Sequence, residues 1–162
     1  AIPSDTFDQI YTGGHVAVWV ADLERYYAEA ARILKRGGLL LIDEYHPFRR
    51  VWEKNTELLR VKNDYYHRGP YEYTLDADVL VSDPGDFTCF EFHWTIGDFM
   101  NAVIKANCQI IEVDEHGTYV GDWEVAPMQG LPEHLLIIGK KNYRGELPFD
   151  ILIALFDRHQ MG

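Results

Sequence analysis

Two short stretches hold most of the chemistry that this 162-residue sequence can offer. Thr12-Gly13-Gly14-His15 closes one apolar run, and Asp43-Glu44-Tyr45-His46-Pro47 closes another. A glutamate and a histidine both titrate near neutrality when their surroundings shift them, so Glu44 and His46 are suited to holding or taking a proton. Histidines at 15, 46, 67, 93, 116, 134 and 159 also raise the question of a metal. No two have the i,i+4 spacing of a helical zinc site, and Glu91 and His93 share only a strand face, so no metal is expected.

The elements that position these stretches are legible from periodicity. Phe7 to Thr12 alternates as a short strand ended by Gly13-Gly14. Asp22 is the expected N-cap of a helix whose apolar stripe is Leu23, Tyr26, Tyr27, Ala30, Ile33 and Leu34. Lys35 and Arg36 fill its predicted last turn and Gly37 follows as the C′ residue. Leu39 to Ile42 is too short for a helix, and as a continuous apolar run it predicts a strand buried on both faces. Strand, helix, strand is a βαβ unit, which makes the two strands parallel and the crossover right-handed.

Beyond Pro47 the sequence becomes aromatic and loose. Arg49 to Val61 is expected to be partly helical, and Tyr71–Val81 and Thr88–Trp94 to form an antiparallel pair around a turn at 82–86. Together they predict an inserted lid. Thr95 should cap a second helix, with Asp98 as a weak capping box and Asn107 as an αL stop. Gln109–Val113 and His134–Gly139 read as two further strands, separated by a loop holding Trp123 and Pro127. A tail from Asn142 carries the apolar stretch 149–156.

Composition bounds the function. With 47% hydrophobic residues the chain can bury the core of one domain. Fifteen Lys and Arg against 26 Asp and Glu give a net charge of −11, which argues against nucleic acid and anionic membranes as partners. Cys89 and Cys108 read as reduced packing residues. No leader-like segment and no run of 18 apolar residues stands out, so a cytoplasmic location is expected.

A parallel strand needs neighbours, yet only six residues precede Phe7. The segment "FDQIYTGGHVAVWVADLERYYAEAARILKRGGLLLIDEYHPF", residues 7 to 48, resembles the middle of the class I S-adenosylmethionine-dependent methyltransferases. "HWTIGDFMNAVIKANCQIIEVDE", residues 93 to 115, is similar to that family's later helix and sixth strand, and "PEHLLIIGKK" to its antiparallel seventh. The family's glycine-rich first turn and the carboxylate that holds the ribose have no counterpart here. The resemblance therefore implies an α/β, Rossmann-like three-layer methyltransferase fold in part, comprising strands four to seven with the last pair antiparallel and an aromatic β-rich lid. The chain would be a single partial domain: a βαβ core at 7–47, the lid at 48–94, a helix and strand pair at 95–140, and a tail at 141–162.

What the resemblance implies about the site is specific. Thr12, Gly13, Gly14 and His15 would touch the methionine and sulfonium part of S-adenosylmethionine, with Val16 or Trp19 packing behind. Methyl transfer is an in-line displacement in which positioning contributes most. Where the acceptor must lose a proton, Glu44 or His46 would take it. Tyr45 and the aromatics Tyr65, Tyr66, Tyr71 and Trp94 would contact a small-molecule acceptor or shield the sulfonium. The expected activity is methyl transfer by a fragment inactive on its own. The alternative is a non-catalytic module that forms homo-oligomers through its exposed first strand.

Overall fold

A computed structural model describes residues 1–54, 56–75, 87–118 and 128–143. Strand β1 (Phe7–Gly13) leads through a 3-10 turn at Ala17–Trp19 into helix α1 (Leu23–Ile33), and β2 (Leu34–Tyr45) follows directly. After a second 3-10 turn at Pro47–Arg50 come β3 (Tyr71–Leu75), β4 (Phe87–Glu91), α2 (Ile96–Lys105), β5 (Cys108–Thr118) and β6 (Pro132–Lys141). The main sheet has the order β1-β2-β6-β5. β1 runs parallel to β2, whereas β6 is antiparallel to both of its neighbours. The antiparallel pair β3–β4 forms a separate small sheet.

Local signals explain both helices. The Asp22 carboxylate accepts the Arg25 N–H at 2.9 Å, the N-cap contact that the sequence predicts. At α2 the capping box is complete: Thr95 Oγ1 accepts from the Asp98 N–H and the Asp98 carboxylate accepts from the Thr95 N–H. Asn107 stops that helix with φ 60°.

The end of α1 departs from expectation. The helix stops at Ile33 rather than at Arg36, because Leu34 already has extended dihedrals and starts β2. Lys35 and Arg36 therefore do not fill a last helical turn. A lysine from the far end of the chain takes over that role: buried Lys141 donates from Nζ to the Leu34 carbonyl at 2.6 Å and reaches the Arg32 carbonyl at 3.5 Å. Asp5 balances its charge at 2.8 Å.

β2 is not buried on both faces as predicted. Leu40, Ile42 and Glu44 are buried, while Leu39, Leu41, Asp43 and Tyr45 between them are only partly covered. The period of two reflects helices lying, among the described residues, over one face. There Tyr27 and Ala31 of α1 meet Phe99, Ala102 and Val103 of α2 above Leu40, Ile42, Leu135 and Ile137. The opposite face holds Tyr11, Leu41 and Ile138 in register across three strands.

The second lid strand ends earlier than expected. β4 ends at Glu91, so Phe92, His93 and Trp94 leave the sheet and face the rest of the molecule. Among the described residues of 49–61, helix is confined to the turn ending at Arg50, and Trp52 bridges Val61. The predicted turn at 82–86, Trp123, Pro127 and the 149–156 stretch lie outside the described residues. Cys108 is buried in the core, where desolvation pushes its thiol up to about 11.

Candidate functional site

The site is built where β1 and β2 end side by side. Gly13 pairs with Asp43, and the Gly14 N–H donates to the Asp43 carbonyl at 3.0 Å. A Cβ on Gly13 would stand 2.1 Å from that carbonyl oxygen, so only glycine fits between the strands. The chain then reverses through two left-handed residues, Gly14 (φ 67°) and His15 (φ 76°), into the Ala17–Trp19 turn.

Glu44 holds this reversal from below. Its side chain points to the helix-covered face, and Oε1 accepts the Ala17 N–H at 3.1 Å. The N–H groups of His15 and Val16 also bond the carboxylate. Burial dominates over these three donors and pushes the Glu44 carboxyl up to about 7. It is thus poised to exchange a proton near neutral pH.

His46 is fully buried and occupied. Its Nδ1 accepts the Phe48 N–H at 3.2 Å, which leaves the proton on Nε2, facing Glu115 Oε1 at 2.7 Å. Both nitrogens are used in fixing the turn after β2. The geometry suits a positioning group better than the proton acceptor expected from sequence.

Around Glu44 lies a cavity of about 40 Å³, lined by residues that include His15, Glu44, Tyr45, His46, Arg50 and His93. It has room for a few atoms. A larger hollow of about 390 Å³, between the start of α1 and the length of α2, is lined by residues that include Asp22, Glu24, Asp98 and Lys105. Chemistry rather than volume favours the smaller one, because the buried carboxyl and the histidines converge there.

The cavity wall carries a polar chain that sequence reasoning missed. Arg50 donates to His15 Nε2, and Arg50 Nη1 lies 3.5 Å from Glu91 Oε2. Burial, with help from Arg50, lowers His15 to about 4 and keeps the imidazole neutral. His93, 3.5 Å from the same Glu91 oxygen, and Arg50 hold the Glu91 carboxyl below its ordinary value. The available signal was the pair Arg49-Arg50 directly after a strand end and a proline. Arg49 is buried and stacks its guanidinium over the Tyr45 ring at 4.1 Å.

The other predicted residues divide. Thr12 is buried and its hydroxyl shares a 2.8 Å hydrogen bond with the Tyr26 hydroxyl, so it ties β1 to α1. Gly14 has nothing within 4 Å of where a Cβ would stand, so its backbone is open to a ligand. Val16 and Trp19 do not pack behind the turn. Ala17 and Val18 do, and Val16 and Trp19 are left outward at 39% and 50% exposure.

Tyr45 meets His15 edge-on at 5.0 Å and lines the cavity. Trp94 lines it too, and its indole N–H donates to the carbonyls of Ala17 and Val20 at 3.1 and 3.2 Å, bracing the turn. Tyr65, Tyr66 and Tyr71 lie outside the lining. The Tyr65 hydroxyl accepts the Ile96 N–H, Tyr66 is 71% exposed, and Tyr71 stacks on His93 at 4.0 Å. At the turn the Gly14 backbone is open, and the rings of Tyr45 and Trp19 stand 5.0 and 6.5 Å from the His15 ring. The described residues supply no glycine-rich first turn.

Neither protein-family models nor curated proteins give a match to the sequence. Solved structures do. A Listeria monocytogenes protein assigned as an S-adenosylmethionine-dependent methyltransferase is 18% identical, with TM-score 0.62 over 88% of this chain and 65% of its own. A methyltransferase of the same kind from Mesorhizobium loti is 19% identical, with TM-score 0.57 over 86% and 64%. A third, from Methanosarcina mazei, is 16% identical, with TM-score 0.51 over 89% and 63%. The fold is that of the class I S-adenosylmethionine-dependent methyltransferases, in part. This chain spans less than two thirds of the length of the structures it matches.

Proposed function

We propose that this chain forms the acceptor side of an S-adenosylmethionine-dependent methyl-transfer site that acts on a small molecule. The observation that carries the reading is Glu44: a buried carboxyl with a pKa of about 7, at the carboxyl end of a strand where open α/β sheets bind ligands. When bound, the cofactor supplies an electrophilic methyl group on a sulfonium. Gly14 and His15 offer backbone to the methionine end, and Trp19 offers an aromatic face to its positive charge. Glu44 accepts the proton that an oxygen or nitrogen acceptor gives up, while His46 and Trp94 keep its surroundings fixed.

The chain alone is expected to bind S-adenosylmethionine weakly or not at all in a calorimetric titration, since recognition of adenine and ribose is assigned to parts outside it. Micromolar binding would overturn that assignment. In the complete gene product, transfer of a tritiated methyl group to small molecules of a metabolite extract should fall by about 10²- to 10⁴-fold in Glu44→Gln. An unchanged rate would remove Glu44 from the chemistry.

A second reading is favoured by one observation. β1 is hydrogen-bonded on one edge only among the described residues, and Tyr11 on it is 65% exposed. Such an edge suits a non-catalytic module that pairs with another copy of itself.

A further inference from the structure

A second constellation lies one residue along β2, on the opposite face of the sheet. Successive strand side chains alternate, so Asp43 points away from the face that buries Glu44. In the β5–β6 ladder His116 stands directly opposite His134. In the β2–β6 ladder Tyr45 stands opposite His134 and Asp43 opposite Leu136, which sets Asp43 diagonally beside His134. Three strands thus bring two imidazoles and a carboxylate together.

The distances suit a metal ion. His134 Nδ1 lies 3.2 Å and His116 Nε2 3.8 Å from the same oxygen, Asp43 Oδ1. One ligand atom from each of the three residues falls within a 4.8 Å cluster. Ligands at ~2.0–2.1 Å from a tetrahedral zinc ion are separated by ~3.3 Å, so the cluster closes on an ion with small side-chain adjustments. The two imidazole rings lie nearly parallel, 17° apart in plane with centroids at 5.3 Å.

A second, independent feature stands behind the first. His116 Nδ1 is buried without a hydrogen-bond partner, and Asp114 Oδ2 lies 3.8 Å from it. A histidine that binds a metal through one nitrogen characteristically offers the other N–H to a carboxylate. His116 turns Nε2 toward Asp43 and Nδ1 toward Asp114, whose carboxylate must close in from 3.8 Å to accept that N–H. The side chains of Asp43, His134 and His116 are 28%, 28% and 41% exposed, so an ion can reach them.

We propose that Asp43, His116 and His134 form a binding site for a divalent transition-metal ion, with Asp114 supporting His116. Two imidazoles and one carboxylate are borderline donors, which favour Zn²⁺, Co²⁺, Ni²⁺ or Cu²⁺ over Mg²⁺ or Ca²⁺. Three protein ligands leave a fourth position for water or an added group. The site departs from the expectation of no metal because it is assembled across strands rather than along one helix. It does not depend on the methyl-transfer reading.

The test is a calorimetric titration of the chain with Zn²⁺ alone in chelator-free buffer, repeated with Co²⁺ while its visible d–d bands are followed. A 1:1 stoichiometry and the strong bands of four-coordinate Co²⁺ are expected. Asp43→Asn, His116→Ala and His134→Ala should each weaken binding by about tenfold or more, and Asp114→Asn by about 10- to 100-fold. His67→Ala should leave it unchanged. Absence of Zn²⁺ binding by the wild-type chain, or full binding by the His116→Ala/His134→Ala double variant, would overturn the proposal. Should a variant fail to fold, imidazole NMR of the wild-type chain decides the matter: Zn²⁺ must shift the His116 and His134 resonances, and shifts confined to other histidines would overturn the site.

Discussion

Glu44 and His15 face one cavity with opposite pH logic. Folding raises the Glu44 carboxyl to about 7 from its ordinary 4.5, so between those values the folded chain holds a proton that the unfolded chain has released. Stability contributed through Glu44 therefore falls as pH rises across that window, by up to about 3 kcal/mol. His15 is lowered to about 4 from 6.5, so there the unfolded chain holds the extra proton and stability rises with pH. The two slopes oppose each other over most of their range. Urea unfolding at pH 5, 6, 7 and 8 should show stability rising toward neutrality in Glu44→Gln, in which Glu44 no longer opposes the His15 slope. In His15→Asn stability should fall instead. Parallel profiles for the two variants would show that these groups do not titrate as described.

Among the elements, the β6–α2 contact is the tightest test of packing. A Cβ on Gly139 would come within 2.9 Å of Val103 Cγ1 and 3.3 Å of Cys108 Cβ. Gly139 thereby lets α2 approach the sheet. Gly139→Ala should cost about 1–3 kcal/mol of unfolding free energy through overpacking. Val103→Ala leaves a cavity and is also destabilising, yet the double variant should lose less than the sum of the two, because the added methyl enters the vacated space. Additive losses in urea unfolding would mean that the two positions do not share one contact. The same reasoning explains Lys141: a strand residue can cap α1 only because β6 ends beside the point where that helix runs into β2.

At the scale of the whole molecule, a four-stranded sheet carries helices on one face among the described residues, and its first strand is bonded along one edge. Tyr11, Leu41 and Ile138 cross the other face in register. An open edge beside such a strip is a template for association. Sedimentation should show concentration-dependent self-association of the chain, weakened when Tyr11→Lys sets a charge on the edge. A chain that stays monomeric at high concentration would count against pairing through β1, and a tight dimer would favour the non-catalytic reading over the catalytic one.

What the sequence determined by itself is local. The Asp22 and Thr95 caps, the αL stop at Asn107 and the apolar runs of β1 and β2 follow from signals within a few residues of one another, and the parallel pairing follows from the strand-helix-strand order of those runs. The end of α1 is not legible locally, because Lys35, Arg36 and Gly37 imitate a helix terminus while the group that caps the carbonyls, Lys141, lies more than a hundred residues further on. Tertiary structure alone decided that Glu44 is desolvated beneath the turn after β1, that Arg50 reaches both His15 and Glu91, and that His46 is consumed in bracing. It alone joined Asp43, His116 and His134, since strand register sets neighbours across the ladder and hydrophobic periodicity carries no record of it.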